Sequence, residues 1–188
     1  MLSLYLQAPF QQNGLEYKSP YMAALMDARA TTGRNVNTGY ITDSSKVGNW
    51  SGALSYMVLI DHIGIFISKV DGGNTDKTKF VKDLKDFTNL FEQHIYALYA
   101  LRCAFAHQYS LINVGRGVKA SLLHHQFVVH RGEDLITLPP ISCNGIRTQE
   151  TNNFITSISL KKLGDLVEEI HAKLLDMVAL NQLKTKKS

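Results

Sequence analysis

From Trp50 to about Leu111, apolar side chains recur at helical spacing, with one clear interruption at Asp71-Gly72-Gly73-Asn74. Two long helices that must bury apolar surface on several sides commit the chain to a helical bundle. Leu54, Met57, Val58, Asp61, Ile65 and Ser68 follow the helical period in the first. Apolar residues fill most of its other positions too, which predicts a central helix. In the second, Phe87, Leu90, Phe91, Ile95, Leu98, Leu101 and Phe105 form a stripe that predicts one helix from about Phe80 to about Leu111. Gly115-Arg116-Gly117 ends it. A third pattern, Leu160, Leu163, Leu166, Val167, Ile170, Leu174, Met177 and Val178, predicts an amphipathic C-terminal helix with Ser159 as its N-cap.

Between these helices the period changes. His124 to His130, a polar turn Arg131-Gly132-Glu133-Asp134, and Leu135 to Leu138 read as a β-hairpin stopped by Pro139-Pro140, with a further short strand at Phe154–Ile158. Residues 1–49 are the least patterned. Tyr21 to Arg29 suggests a short helix capped by Ser19 with Pro20 at its first position, and Gly33 to Gly48 reads as loop. The expected fold is therefore mainly α, a helical bundle with a β-hairpin-containing insertion, or α+β if that insertion forms a sheet. It is expected as one domain over 1–188. Its parts are an N-terminal segment (1–49), core helices (50–113), a β-rich insertion (114–158), a C-terminal helix (159–183) and a basic tail (184–188).

Net charge of +4 favours anionic partners without naming one. Two cysteines, Cys103 and Cys143, are too few for a disulfide framework and fit a reducing compartment. Met1 to Leu6 carries no basic leader. The most apolar stretch, Ala53 to Ile67, holds Asp61 and His62 at its centre and is shorter than the ~20 residues of a membrane span. A soluble cytoplasmic protein without a membrane partner is expected.

Chemistry concentrates in Leu101-Arg102-Cys103-Ala104-Phe105-Ala106-His107-Gln108-Tyr109, where an arginine and a histidine interrupt an apolar run. A guanidinium in such company is costly unless paired or facing a cleft. Neutral histidine moves protons near physiological pH, and arginine offers a fixed positive fork to phosphate oxygens. Together they suit metal-independent RNA cleavage, in which a 2′-hydroxyl attacks the adjacent phosphate. Five residues on one helix set the pair roughly 140° apart in rotation and about 7.5 Å apart along the axis, so one helix presents them poorly. Two such helices across a two-fold axis would surround one cleft, which predicts a homodimer.

The segment resembles the active-site helix of the HEPN superfamily (higher eukaryotes and prokaryotes nucleotide-binding domains), whose nucleases carry Arg and, after four to six residues, His. Arg102-x4-His107 has this spacing, and its extension to Tyr109 is similar to the form seen in HEPN toxins paired with nucleotidyltransferase antitoxins. Cys103 stands where a polar residue is usual, and 115–158 is longer than a minimal HEPN bundle needs. The resemblance implies a dimeric endoribonuclease of toxin or defence type that leaves a cyclic phosphate. Arg102 and His107 would be catalytic, no metal or other cofactor needed, and an antitoxin or regulatory protein a further partner. Its runner-up is an inactive HEPN module that binds nucleotide, RNA or protein.

Other residues carry rival or supporting readings. Cys103 and His107, four apart, share a helix face and could form a thiol–imidazole pair, although activated cysteines favour helix N-termini or exposed electropositive settings. Asp61-His62 could contact the active cleft, where Asp61 and Cys103 would surround the catalytic pair, or could pair with Arg102, or could form a buried structural pair. Arg116 and Lys119 could contact an RNA backbone, and Tyr109 could stack a base. His124, His125 and His130 invite a metal reading, but on a strand His124 and His130 stand roughly 20 Å apart while His125 points the other way. An exposed strand face explains them better.

Overall fold

The computed structural model describes residues 5–7, 10–13, 15–72, 76, 78–108, 110–114, 120–140 and 152–185. The helices are α1 (Pro20–Thr31), α2 (Trp50–Phe66), α3 (Lys79–Phe87), α4 (Glu92–Gln108) and α5 (Leu160–Ala179). The strands are β1 (Phe10–Gln12), β2 (Leu15–Tyr17), β3 (Ile67–Lys69), β4 (Ile112–Asn113), β5 (His125–Val129), β6 (Ile136–Thr137), β7 (Ile155–Ile158) and β8 (Leu183–Thr185). The chain divides into two compact units, one made of 1–88 together with 163–188, the other of 89–162.

The first unit is built on helices. Ser19 caps α1 as its sequence predicts, its hydroxyl accepting from the Met22 N–H at 3.0 Å, with Pro20 entering the first turn. Asn49 does the same for α2, accepting from Ser51 and Gly52. Along α2, Tyr56, Met57, Leu59, Ile60 and Ile63 are buried, whereas Val58, Ile65 and Phe66 are exposed. The expectation of burial all round therefore holds on most sides but not all. Tyr21 and Leu25 of α1, Phe80 and Leu84 of α3, and Leu163, Val167, Ile170 and Leu174 of α5 complete this core. β8, which the periodicity does not announce, pairs antiparallel with β3, and β1 pairs antiparallel with β2.

The long helix expected from Phe80 to Leu111 is two helices. At Thr88 the backbone turns extended, and both its N–H and its hydroxyl donate to the Leu84 carbonyl, which closes the ladder of α3. The stripe read across the break is not continuous in burial: Phe87 and Ile95 are buried, whereas Phe91 is exposed.

The second unit carries α4 and a four-stranded sheet in the order β4-β5-β7-β6. The insertion thus forms a sheet, and the fold is mixed α+β. The expected hairpin is corrected: β5 and β6 do not pair. β7 lies between them, parallel to β5 (Gln126 opposite Ile155, Val129 opposite Ile158) and antiparallel to β6 (Ile136 opposite Ile158). Thr156 and Ile158 of β7 are fully buried, so the most buried strand takes the centre. The Arg131–Asp134 turn carries the chain from one side of β7 to the other, with His130 N–H donating to the Ile158 carbonyl and Ser159 N–H to Leu135.

Candidate functional site

In the second unit, α4 holds both residues of the nuclease motif. Taking Arg102 as zero and 100° per residue, Ala106 stands near 40°, Tyr99 near 60°, Cys103 near 100° and position 107 near 140°. Over the last two turns the described residues of this arc are at least partly accessible, as is Phe105 on the other side near 300°. Tyr99, Arg102 and Cys103 are half-buried and Ala106 is exposed, while Leu98, Ala100, Leu101 and Ala104, outside the arc, are buried. Ile95 and Tyr96 occupy the same arc one to two turns earlier and are buried. His107 lies in the last turn, one residue before the helix ends. Cys103 is a free thiol one turn before it, within the arc. Tyr109, Arg116, Lys119 and Cys143 lie outside the described residues. Asp61 sits half-buried on α2 of the first unit, beside His62, whose Nδ1 is buried without a hydrogen-bond partner.

The histidines of the insertion do not form the exposed strand face expected of them: His125 is buried, and His124 and His130 are half-buried. Buried His125 stacks on Phe127 at 5.3 Å between ring centroids, with Nε2 3.1 Å from the Leu122 carbonyl and Nδ1 2.8 Å from the Thr156 hydroxyl. A carbonyl only accepts, so Nε2 carries the proton and the Thr156 hydroxyl donates to Nδ1. Burial holds its pKa below the usual histidine value, keeping the ring neutral. His130 Nδ1 accepts from the Gly132 N–H. Among the described residues no group of three His, Cys, Asp or Glu side chains is placed to hold a metal ion.

The first unit contains a polar cluster that sequence reasoning missed. Arg29, 3% exposed, makes a bidentate contact with Glu168 (Nε to Oε1 3.0 Å, Nη2 to Oε2 2.7 Å) and donates through Nη1 to the carbonyls of Val36 and Asn37. Arg34, 7% exposed, pairs with Asp165 at 2.6 Å and donates to the Gly39 carbonyl. The Tyr56 hydroxyl donates to Glu168 at 3.1 Å, and burial pushes its pKa up to about 12. Tyr21 shares a hydrogen bond with His171 Nδ1, and burial, followed by the Arg29 charge, lowers the His171 pKa to about 4. Each carboxylate faces a guanidinium at contact distance, which leaves neither available as a general base. The cluster is a clamp. One signal was available: Gly164, Glu168 and His171, with Asp165, stand at helical spacing beside the apolar stripe of α5.

No family model, curated protein or solved structure matches the chain. Among the described residues no helix is long and apolar enough to cross a membrane.

Proposed function

We propose that this protein is a metal-independent endoribonuclease of the HEPN type, acting as a homodimer with toxin or defence character. The observation that supports the reading is the partly accessible face of α4 at Arg102, Cys103 and Ala106, with His107 following in the last turn of the same helix. RNA laid along it would meet Arg102 at the phosphate, where the guanidinium offsets the charge gathering on the non-bridging oxygens. His107 would take the proton of the 2′-hydroxyl or return one to the departing 5′-oxygen. A second protomer across a two-fold axis would supply the other half of the acid–base pair. The new bond joins the 2′-oxygen to phosphorus as the bond to the 5′-oxygen breaks, leaving a 2′,3′-cyclic phosphate.

The test is cleavage of a long single-stranded RNA in EDTA, with light scattering for the oligomeric state. Arg102→Ala and His107→Ala should each lose about 100-fold or more, Cys103→Ala should retain most activity, and the scattering mass should be that of a dimer. Cleavage that requires added metal, or that survives both of the first two substitutions, overturns the assignment. Loss confined to Cys103→Ala transfers the chemistry to the thiol.

A further inference from the structure

A row of aromatic rings crosses the first unit. The Tyr21 ring is fully buried and lies 5.7 Å from the His171 ring on one side and 5.6 Å from the Tyr5 ring on the other, centroid to centroid. Tyr5 is half-buried and in turn meets Phe66 at 6.0 Å, and Phe66 is 44% exposed. Each separation is that of rings in contact. Aromatic contact therefore runs without a gap from the surface to Tyr21.

The two phenols on this path differ in their means of losing a proton. The Tyr21 hydroxyl stands 3.1 Å from His171 Nδ1, its one hydrogen bond among the described residues. If it accepted there, its own hydrogen would be buried with nothing to receive it, so it donates and the imidazole accepts. Burial first, and then the Arg29 charge, lower the His171 pKa to about 4, so at neutral pH the ring is uncharged and Nδ1 is ready to receive the proton. The Tyr5 hydroxyl is also buried but has no hydrogen-bond partner. A phenol that loses an electron becomes a strong acid, and it settles as a neutral radical only where a base takes its proton. Oxidation is thus favoured at Tyr21 over Tyr5. Tyr56, another buried phenol, donates to Glu168, but that carboxylate already serves the Arg29 guanidinium, and among the described residues no aromatic ring stacks on Tyr56.

We propose that Tyr21 and His171 form a one-electron oxidation site fed through Tyr5. An oxidant of the organic peroxyl radical class, reaching the outer ring, takes one electron from Tyr5 and one proton from solvent and leaves as the hydroperoxide. Tyr21 returns an electron to Tyr5 while its phenol proton crosses to His171 Nδ1. The product is a neutral tyrosyl radical at Tyr21, hydrogen-bonded to an imidazolium. The inference stands apart from the nuclease reading, since it rests on the first unit alone.

The test is flash oxidation of the full chain by a photoexcited ruthenium polypyridyl complex with persulfate, read by paramagnetic resonance of the trapped radical. The wild type gives a long-lived tyrosyl radical coupled to a proton that exchanges in heavy water and, after isotope labelling of histidine nitrogen, to an imidazole. Tyr21→Phe and His171→Gln each lose the long-lived signal, the second because an amide keeps a hydrogen bond but is no base. Tyr56→Phe retains it, as does Tyr40→Phe, which removes a phenol 78% exposed. Tyr5→Phe slows its appearance. Should Tyr21→Phe or His171→Gln fail to fold, the histidine coupling in the wild type decides alone. No long-lived radical, a radical on Trp50, a tyrosyl radical without histidine coupling, or a signal that survives Tyr21→Phe or His171→Gln overturns the inference.

Discussion

Glu168→Gln isolates the charge of the clamp while keeping its shape. The wild-type carboxylate receives Nε and Nη2 of Arg29 and the hydroxyl of Tyr56. A glutamine oxygen can still serve Nε and the phenol, but its NH2 group meets Nη2 donor to donor. One charge-assisted hydrogen bond, about 1.5–3 kcal/mol, is lost. The Arg29 side chain, 4% exposed, is also left without its counter-charge and cannot reach water. Breaking a buried pair from one side costs about 3–5 kcal/mol. The lower end applies here, since the Glu168 side chain is 17% exposed and Arg29 keeps two carbonyl acceptors. We expect a loss of about 3 kcal/mol from the first unit, measured as a shift of its urea midpoint at constant slope. The double variant Arg29→Met with Glu168→Leu should recover most of that loss, because removing both charges removes the desolvation problem. A loss below about 1 kcal/mol for Glu168→Gln, or a double variant no more stable than the single, would refute the reasoning.

Two further outcomes follow from the same cluster. His171, with a folded pKa lowered to about 4, takes up its proton near pH 6.5 only when unfolded, so stability is full above that pH and falls as pH drops from about 6.5 toward 4. The decline is at most about 3 kcal/mol, and His171→Gln should flatten it; equal slopes for variant and wild type in denaturation at stepped pH would count against this. Gly39→Ala forces a methyl onto the Glu168 carboxylate at a left-handed backbone position, and should cost about 2 kcal/mol and speed hydrogen exchange at the Asn35 and Gly39 amides.

Local chemistry was the legible part of this chain. Ser19 and Pro20 announce the start of α1, and the stripe from Leu160 to Val178 announces α5, because caps and periodicity act within one or two turns. The failures came from contacts distant in sequence. Pairing β5 with β7 joins residues on either side of a turn and a long excursion, and the Arg131–Asp134 turn mimics a hairpin to any local reading. Arg29 and Glu168 are 139 residues apart, Arg34 and Asp165 131, so nothing near either arginine marks it as buried. At the candidate active site the spacing of Arg102 and His107 was readable, and their angular separation followed from it. That Arg102, Cys103 and Ala106 remain at least partly accessible depends on what covers the rest of α4, which is a tertiary property.

The first unit is discontinuous, its closing helix arriving after the whole of the second. During synthesis Arg29 and Arg34 leave the ribosome long before the acids that neutralise them, and the apolar faces of α1, α2 and α3 wait for the same helix. A nascent chain released anywhere in that interval carries two cations with no counterpart and an uncovered core. Such fragments cannot pass for finished protein, and ordinary quality control has a ready means of telling them apart.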